Sequence, residues 1–164
     1  MRGLDMNTNS IKAGDMNQML LINNLDLRGS TCDGPGMRNV VFFQGCDRHC
    51  PGCHNSGTWN KDGGHLMSVD NLVSIIDENT PLRRITISGG EPMLQHDGLM
   101  SLVRVLSKKD YDIAVYTGNS MEDVDPELLQ YIDYIKVGDF QIDRKTSVKP
   151  YVGSTNQSFI KLHN

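Results

Sequence analysis

From residue 68 to residue 162 the apolar residues keep changing period, and this alternation limits the possible folds more than any other feature. Val69, Leu72, Val73 and Ile76 recur at helical spacing, with Ser68 placed to cap. "RRITIS" (83–88) then reads as a strand and runs straight into "GGEP". Leu99, Leu102, Val103 and Leu106 form a second helical stripe, with Asp97 as its expected cap. "DIAVYT" (112–117) reads as a strand, Asp125-Pro126 as a helix start with Leu128, Leu129 and Ile132 behind it, and "YIKV" (134–137) as a further strand. A polar loop over 138–152 leads to "GSTNQ" and a last strand, "SFIKL". Upstream, "MLLINNLDL" (19–27) and "NVVFFQ" (39–44) read as strands joined by the turn-rich "RGSTCDGPGMR", and a loop carrying three cysteines runs on to about His65.

Strand–helix–strand repetition implies an α/β fold with a mainly parallel sheet. Right-handed crossovers bring the C-terminal ends of parallel strands to one rim, where such sheets bind ligands. The cysteine loop, "GGEP" and "YTG" all follow strands, so all three are expected at that rim. There are too few βα units for a closed eight-fold barrel, which leaves one side open to a large substrate. The chain of 164 residues fits one domain and shows no repeat. A net charge of −4 supplies no electrostatic case for nucleic acid or an anionic membrane, and no apolar run approaches the ~20 residues that span a bilayer. The polar start lacks the apolar middle of a signal peptide. Residues 1–18 are therefore expected to be a flexible leader, 19–164 a single domain, and the location cytoplasmic.

In a reducing compartment, clustered cysteines are metal ligands or redox groups rather than disulfides. "GCDRHCPGCHN" (45–55) holds three of the chain's four cysteines at C-x3-C-x2-C. Structural zinc takes four protein ligands, and His49 or His54 would have to supply the fourth. A C-x2-C redox pair leaves Cys46 unexplained. A 4Fe–4S cluster accounts for three thiolates and leaves one iron open to a small molecule. Spacing alone favours the cluster and leaves the other two open.

The surroundings decide among them. "DGPG" and Arg38 before the strand, "QGC" into the loop, C-x3-C-x2-C, and Asn55 with Thr58-Trp59 after it resemble the radical S-adenosylmethionine (SAM) enzymes that activate glycyl-radical proteins. "SGGEP" falls where that superfamily has its SAM-binding glycine motif. Three features are most similar to the activating proteins of the anaerobic (class III) ribonucleotide reductase: the short chain, "CPGC", and the ending "VGSTNQSFIKL". "FFQGC", "CHNSGTW" and "GGHLMSVDNL" look closer to the pyruvate formate-lyase activators.

The resemblance implies an incomplete (β/α) barrel of the radical SAM type, with Cys46, Cys50 and Cys53 ligating three irons. The amino and carboxylate groups of SAM would chelate the fourth. One electron would then break the S–C5′ bond, giving methionine and a 5′-deoxyadenosyl radical that abstracts hydrogen from a glycine of the partner. Cluster and SAM carry this chemistry, so no side chain is assigned a catalytic role. Ser88, Gly89, Gly90 and Glu91 would meet the methionyl ammonium, and Tyr116, Thr117 and Gly118 the ribose or carboxylate. Gly52 and His54 would lie beside adenine, with His54 covering it because Gly52 has no side chain. Arg38, Asn55 and Asn156 are possible supporting residues, with Arg38 facing a carboxylate near the cluster. Trp59 is expected to pack, Cys32 to be a spare thiol, and Arg144, Lys145 and Lys149 to face solvent or a docked protein. The implied partners are the anaerobic reductase and a reduced flavodoxin or ferredoxin. Other outcomes are an activase of another glycyl-radical enzyme, a radical SAM enzyme acting on a metabolite, and a zinc-stabilised binding module.

Overall fold

A computed structural model describes residues 14–163. It contains seven strands: β1 (Met19–Ser30), β2 (Arg38–Phe43), β3 (His65–Ser68), β4 (Arg84–Gly89), β5 (Asp112–Tyr116), β6 (Tyr134–Val137) and β7 (Ser158–Lys161). Three helices lie between them: α1 (Val69–Asn79), α2 (His96–Lys108) and α3 (Pro126–Tyr131). One sheet takes all the strands in the order β3-β1-β2-β4-β5-β6-β7.

The sheet is mixed, which corrects the expectation of a mainly parallel one. β2, β4, β5 and β6 run parallel, whereas β1 pairs antiparallel with both β2 and β3, and β7 pairs antiparallel with β6. A parallel pairing needs a long crossover that carries the chain back, usually a helix. The connection from β1 to β2 is a short turn, and the longer one from β6 to β7 holds no α-helix. β3 is also a strand where only loop was expected, because Leu66 and Met67 register against Leu21 and Leu20.

The capping expectations divide. Ser68 accepts a hydrogen bond from the Asn71 amide, and Asp125 accepts one from Glu127 ahead of Pro126. Asp97 does not cap α2. A 3-10 turn, Pro92–Gln95, precedes that helix, and its own cap is Glu91, which accepts from the Met93 amide. Most of the expected leader lies outside the described residues. Its last part forms a 3-10 turn in which Asp15, 4% exposed, accepts hydrogen bonds from Ser101 and Arg104 of α2.

Strand alternation sorts the two faces of the parallel strands. Val41, Phe43, Ile85, Ile87, Ile113, Val115, Ile135 and Val137 join the helical stripes of α1, α2 and α3 in one apolar core. The other face is more polar and carries Arg38, Phe42, Thr86, Ser88, Tyr116 and Lys136. The β1–β2 turn folds over it, with Thr86 Oγ1 donating to the Asp33 carbonyl. The four parallel strands thus end together, at Phe43, Gly89, Tyr116 and Val137.

Gly98 lets α2 lie directly on β1. A Cβ there would overlap the fully buried Leu20 side chain and stand 3.1 Å from the Met19 carbonyl oxygen. Crowding of this kind costs about 1–3 kcal/mol, against a helix-propensity gain of roughly 0.5–1 kcal/mol. Gly98→Ala is therefore expected to lower stability by about 1–2 kcal/mol in urea unfolding; an unchanged midpoint would contradict this packing.

Candidate cofactor and metal centre

The rim of the parallel strands opens into a cavity of about 760 Å³. Cys46, Cys50 and Cys53 all line it, Cys46 buried and the other two half-buried. The loop that carries them is pinned at both ends. Gln44 donates from its amide nitrogen to the Asn60 carbonyl at 2.7 Å and accepts from Asn23 at 2.8 Å. Thr58 Oγ1 donates to the Asn55 carbonyl at 2.6 Å, and the Cys46 amide donates to the Trp59 carbonyl at 3.2 Å. The Asn55 amide donates to Cys53 Sγ at 3.4 Å, the kind of contact that tunes a sulfur ligand.

The donor set suits a polynuclear cluster better than one ion. Among the described residues, no three Cys, His, Asp or Glu side chains converge closely enough to hold a single metal ion. In a cubane each thiolate binds its own iron, so three thiols spread around one cavity are sufficient. Neither histidine joins them as a zinc site would need. His49 stacks on Trp59 with ring centres 4.6 Å apart, and His54 faces Phe140 at 6.2 Å.

The glycine turn is built onto this loop. The Gly90 amide donates to the Phe43 carbonyl at 2.9 Å and the Glu91 amide to the Gly45 carbonyl at 2.8 Å. A Cβ on Gly89 would overlap the Phe43 backbone, and one on Gly90 would overlap the Gly45 carbonyl oxygen. Gly89 also sits at φ +108°, where side chains are strained. These glycines therefore permit β4 and the cysteine loop to touch, beyond any approach of a ligand.

Glu91, 3% exposed, ties the next turn to this one. Its carboxylate accepts from Thr117 Oγ1 at 2.7 Å, from the Gly118 amide at 2.7 Å and from the Met93 amide at 3.0 Å. Arg48 of the cysteine loop lies 3.5 Å from the same carboxylate and also donates to Asn119. "GCDRHC", "GGEP" and "YTG" are thereby one connected structure.

Ser88, Gly89, Gly90, Glu91, Tyr116, Thr117, Gly118, His54 and Asn55 all reach the cavity wall. Three expected residues stand elsewhere. Gly52 is exposed at φ +75° and faces Ile142. Asn156 donates to the Asp139 carbonyl at 2.8 Å. Arg38 begins β2, at the end opposite the cysteines; fully buried, it donates to Thr86 Oγ1, to the Ile85 carbonyl and to Asp112, whose carboxylate it meets at 2.7 Å. Its carboxylate partner is thus a strand residue, because the side chain points back along the sheet. Arg144 and Lys149 bond to Thr155 of their own loop.

Lys136 was not anticipated, though a lone charge inside "YIKV" was a readable signal. It lines the cavity from β6, with its ammonium 5.5 Å from the centre of the Tyr116 ring. Its side chain is half-buried. Burial pushes its pKa down to about 8; the negative charge of Glu91 partly offsets this. The cavity so presents a carboxylate, an ammonium and three thiols.

In the cofactor-free protein, Lys136 binds its proton less tightly when folded than when unfolded. The cost of burying the charge is therefore complete below pH 8 and fades as pH rises from about 8 to the ordinary lysine value of ~10.4. Lys136→Met is expected to raise apoprotein stability at pH 7, with the gain shrinking across that window in pH-resolved unfolding. A gain that grew with pH would contradict the burial.

Comparison with known proteins agrees with this geometry. Residues 32–160 match the family described as a 4Fe-4S single cluster domain. The chain is 32% identical over 136 residues to the anaerobic ribonucleoside-triphosphate reductase-activating protein of Enterobacteria phage T4, covering 77% of this chain and 86% of that one. The protein of the same name from Vibrio cholerae is 33% identical over 138 residues, covering 76% and 88%. The pyruvate formate-lyase-activating enzyme of Clostridium pasteurianum is 33% identical over 108 residues; the match takes in 63% of this chain and spans only 45% of that relative's length. Among solved structures, QueE from Escherichia coli aligns with a TM-score of 0.54 at 23% identity, covering 62% of this chain and 53% of that one, a likeness of fold alone. The chain belongs to the 4Fe-4S single cluster domain family, the radical SAM group to which its cysteine loop and glycine turn pointed.

Proposed function

We propose that the protein is an oxidoreductase that activates anaerobic ribonucleotide reductase. When bound, a 4Fe–4S cluster and SAM supply a one-electron cleavage whose 5′-deoxyadenosyl radical takes hydrogen from a glycine of the reductase. The observation that carries this reading is the opening of Cys46, Cys50 and Cys53 onto one cavity with Glu91 and Lys136.

Cys46, Cys50 and Cys53 would hold three irons. The cavity's paired charges suit the zwitterionic end of SAM, with Lys136 facing its carboxylate and the Ser88–Glu91 turn its ammonium. Because Glu91 already accepts three protein hydrogen bonds, its larger role is to keep that turn and Gly118 in place. His54 and Phe140 form an aromatic side for adenine, and Thr117 and Gly118 lie by the ribose. Residues 19–164 would form one domain, its parallel strands an incomplete (β/α) barrel. A reduced flavodoxin or ferredoxin would supply the electron. Among the described residues no helix is long and apolar enough to cross a membrane, which accords with work in the cytoplasm.

Coverage favours the reductase. The reductase-activating relatives match 76–77% of this chain, and the pyruvate formate-lyase-activating ones 63–64%. A second reading, activation of pyruvate formate-lyase, has in its favour 33% identity over 108 residues to the Clostridium pasteurianum activating enzyme.

The test is anaerobic co-incubation of the reduced, reconstituted protein and SAM with each partner in turn. A glycyl-radical spin signal is expected on the reductase. A signal on pyruvate formate-lyase alone would select the second reading, and 5′-deoxyadenosine formed without any protein radical would contradict both.

A further inference from the structure

The cysteine loop is not held evenly along its length. Before Cys50 it is tied to its surroundings: the Cys46 amide bonds to Trp59, His49 stacks on Trp59, and Arg48 reaches Glu91 and Asn119. From Cys50 to Cys53 the chain closes on itself, with the Cys53 amide donating to the Cys50 carbonyl at 3.1 Å. Among the described residues, nothing beyond residue 55 hydrogen-bonds to this turn. Both of its thiols are half-buried.

What the turn does meet is a side chain from far along the sequence. A Cβ on Gly52 would stand 2.6 Å from Ile142 Cδ1, 3.2 Å from its Cγ1 and 3.5 Å from its Cβ. Ile142 therefore lies where a side chain at position 52 would lie. Gly52 leaves a notch between the two cysteines, and an isoleucine fills it.

The segment that carries Ile142 is itself anchored. Ile142 opens a 3-10 turn, Ile142–Arg144, in the connection between β6 and β7. The Arg144 carbonyl accepts from the Thr155 amide at 2.9 Å, and the Gln141 amide donates to Ser154 Oγ at 3.2 Å. Phe140, two residues earlier, lines the cavity and faces His54, the residue after Cys53. Ile142 is apolar yet 48% exposed, and it is no part of the cavity wall. Its seat on Gly52 is thus a contact with the outside of the metal loop.

We propose that Ile142 is a positioning residue for the 4Fe–4S cluster: seated on Gly52, it holds the Cys50–Cys53 turn closed, so that both thiolates stay on their irons and solvent is kept from them. This rests on the reading above, in which Cys46, Cys50 and Cys53 are the ligands. A cluster tied to the chain by three thiolates has few tethers to lose, so its lifetime follows how often this turn opens. Water at the sulfurs also favours the more negatively charged, reduced cluster and raises its potential.

The test uses the full chain, reconstituted anaerobically, and compares the wild type with Ile142→Ala, Ile142→Val and Val148→Ala. The valine keeps a branched side chain over Gly52. Val148 is a control from the same β6–β7 connection, apolar and 90% exposed. Two quantities are measured without substrate: the rate at which air bleaches the cluster's visible absorbance, and the reduction potential. Ile142→Ala is expected to bleach about tenfold faster than the wild type and to have a less negative potential, with the other two variants within about twofold of the wild-type rate. Wild-type values of both quantities in Ile142→Ala overturn the proposal. A change in only one of them also overturns it, since an opened turn moves both. Equal acceleration in Val148→Ala overturns it too, by making general loosening of the connection the cause. Wild-type protein that takes up no 4Fe–4S cluster overturns the cofactor reading together with this role, whereas normal uptake with an unshifted Ile142→Ala overturns this role alone.

Discussion

At the ends of β2 and β4 two stretches of backbone come so close that no side chain fits between them. The Gly90 amide meets the Phe43 carbonyl, the Glu91 amide meets the Gly45 carbonyl, and a Cβ on either Gly89 or Gly90 would overlap main-chain atoms. This contact fixes where the cysteine loop leaves the sheet. Gln44, Thr58 and Asn55 then close the loop on itself, and Glu91 carries the order across to Thr117 and Gly118. A metal centre held by three residues has one protein ligand fewer to hold it than a closed site, so the rigidity must come from the surrounding backbone.

The same geometry separates two chemical tasks. The apolar residues of β2, β4, β5 and β6 face the helices and supply the core. Their alternate neighbours face the cavity and include Ser88, Tyr116 and Lys136. Lys136 and Glu91 bring opposite charges to the cavity wall. Tyr116 Oη is buried among them without a hydrogen-bond partner among the described residues.

Much of this was readable from the residues. The helical stripes of α1 and α2 are buried as their spacing required, and Ser68 and Asp125 cap where they stand. The three loops that follow parallel strands do gather at one rim. Strand direction was harder, because β1 and β7 have the same apolar pattern whichever way they pair; the decision lies in connections that are short or lack an α-helix. β3 was hidden because four residues are too few to show a period. Arg38 was placed near the cysteines from its closeness in sequence, yet a strand carries its side chain to the far end of the sheet, onto Asp112. Lys136 was passed over inside an apolar strand, where alternation turns one charged side chain to the cavity and its neighbours to the core. Gly89 and Gly90 looked like room for a ligand and are first of all room for the chain itself.

The central claim is that Cys46, Cys50 and Cys53 leave one iron of the cluster without a protein ligand, and that SAM takes the vacant position. Electron–nuclear double resonance on the reduced protein, with SAM labelled at its amino nitrogen and carboxylate oxygen, tests this most directly. Hyperfine coupling from both labels to the cluster is the predicted result. An absence of coupling in protein that has bound SAM, with all four irons ligated by side chains, would contradict it.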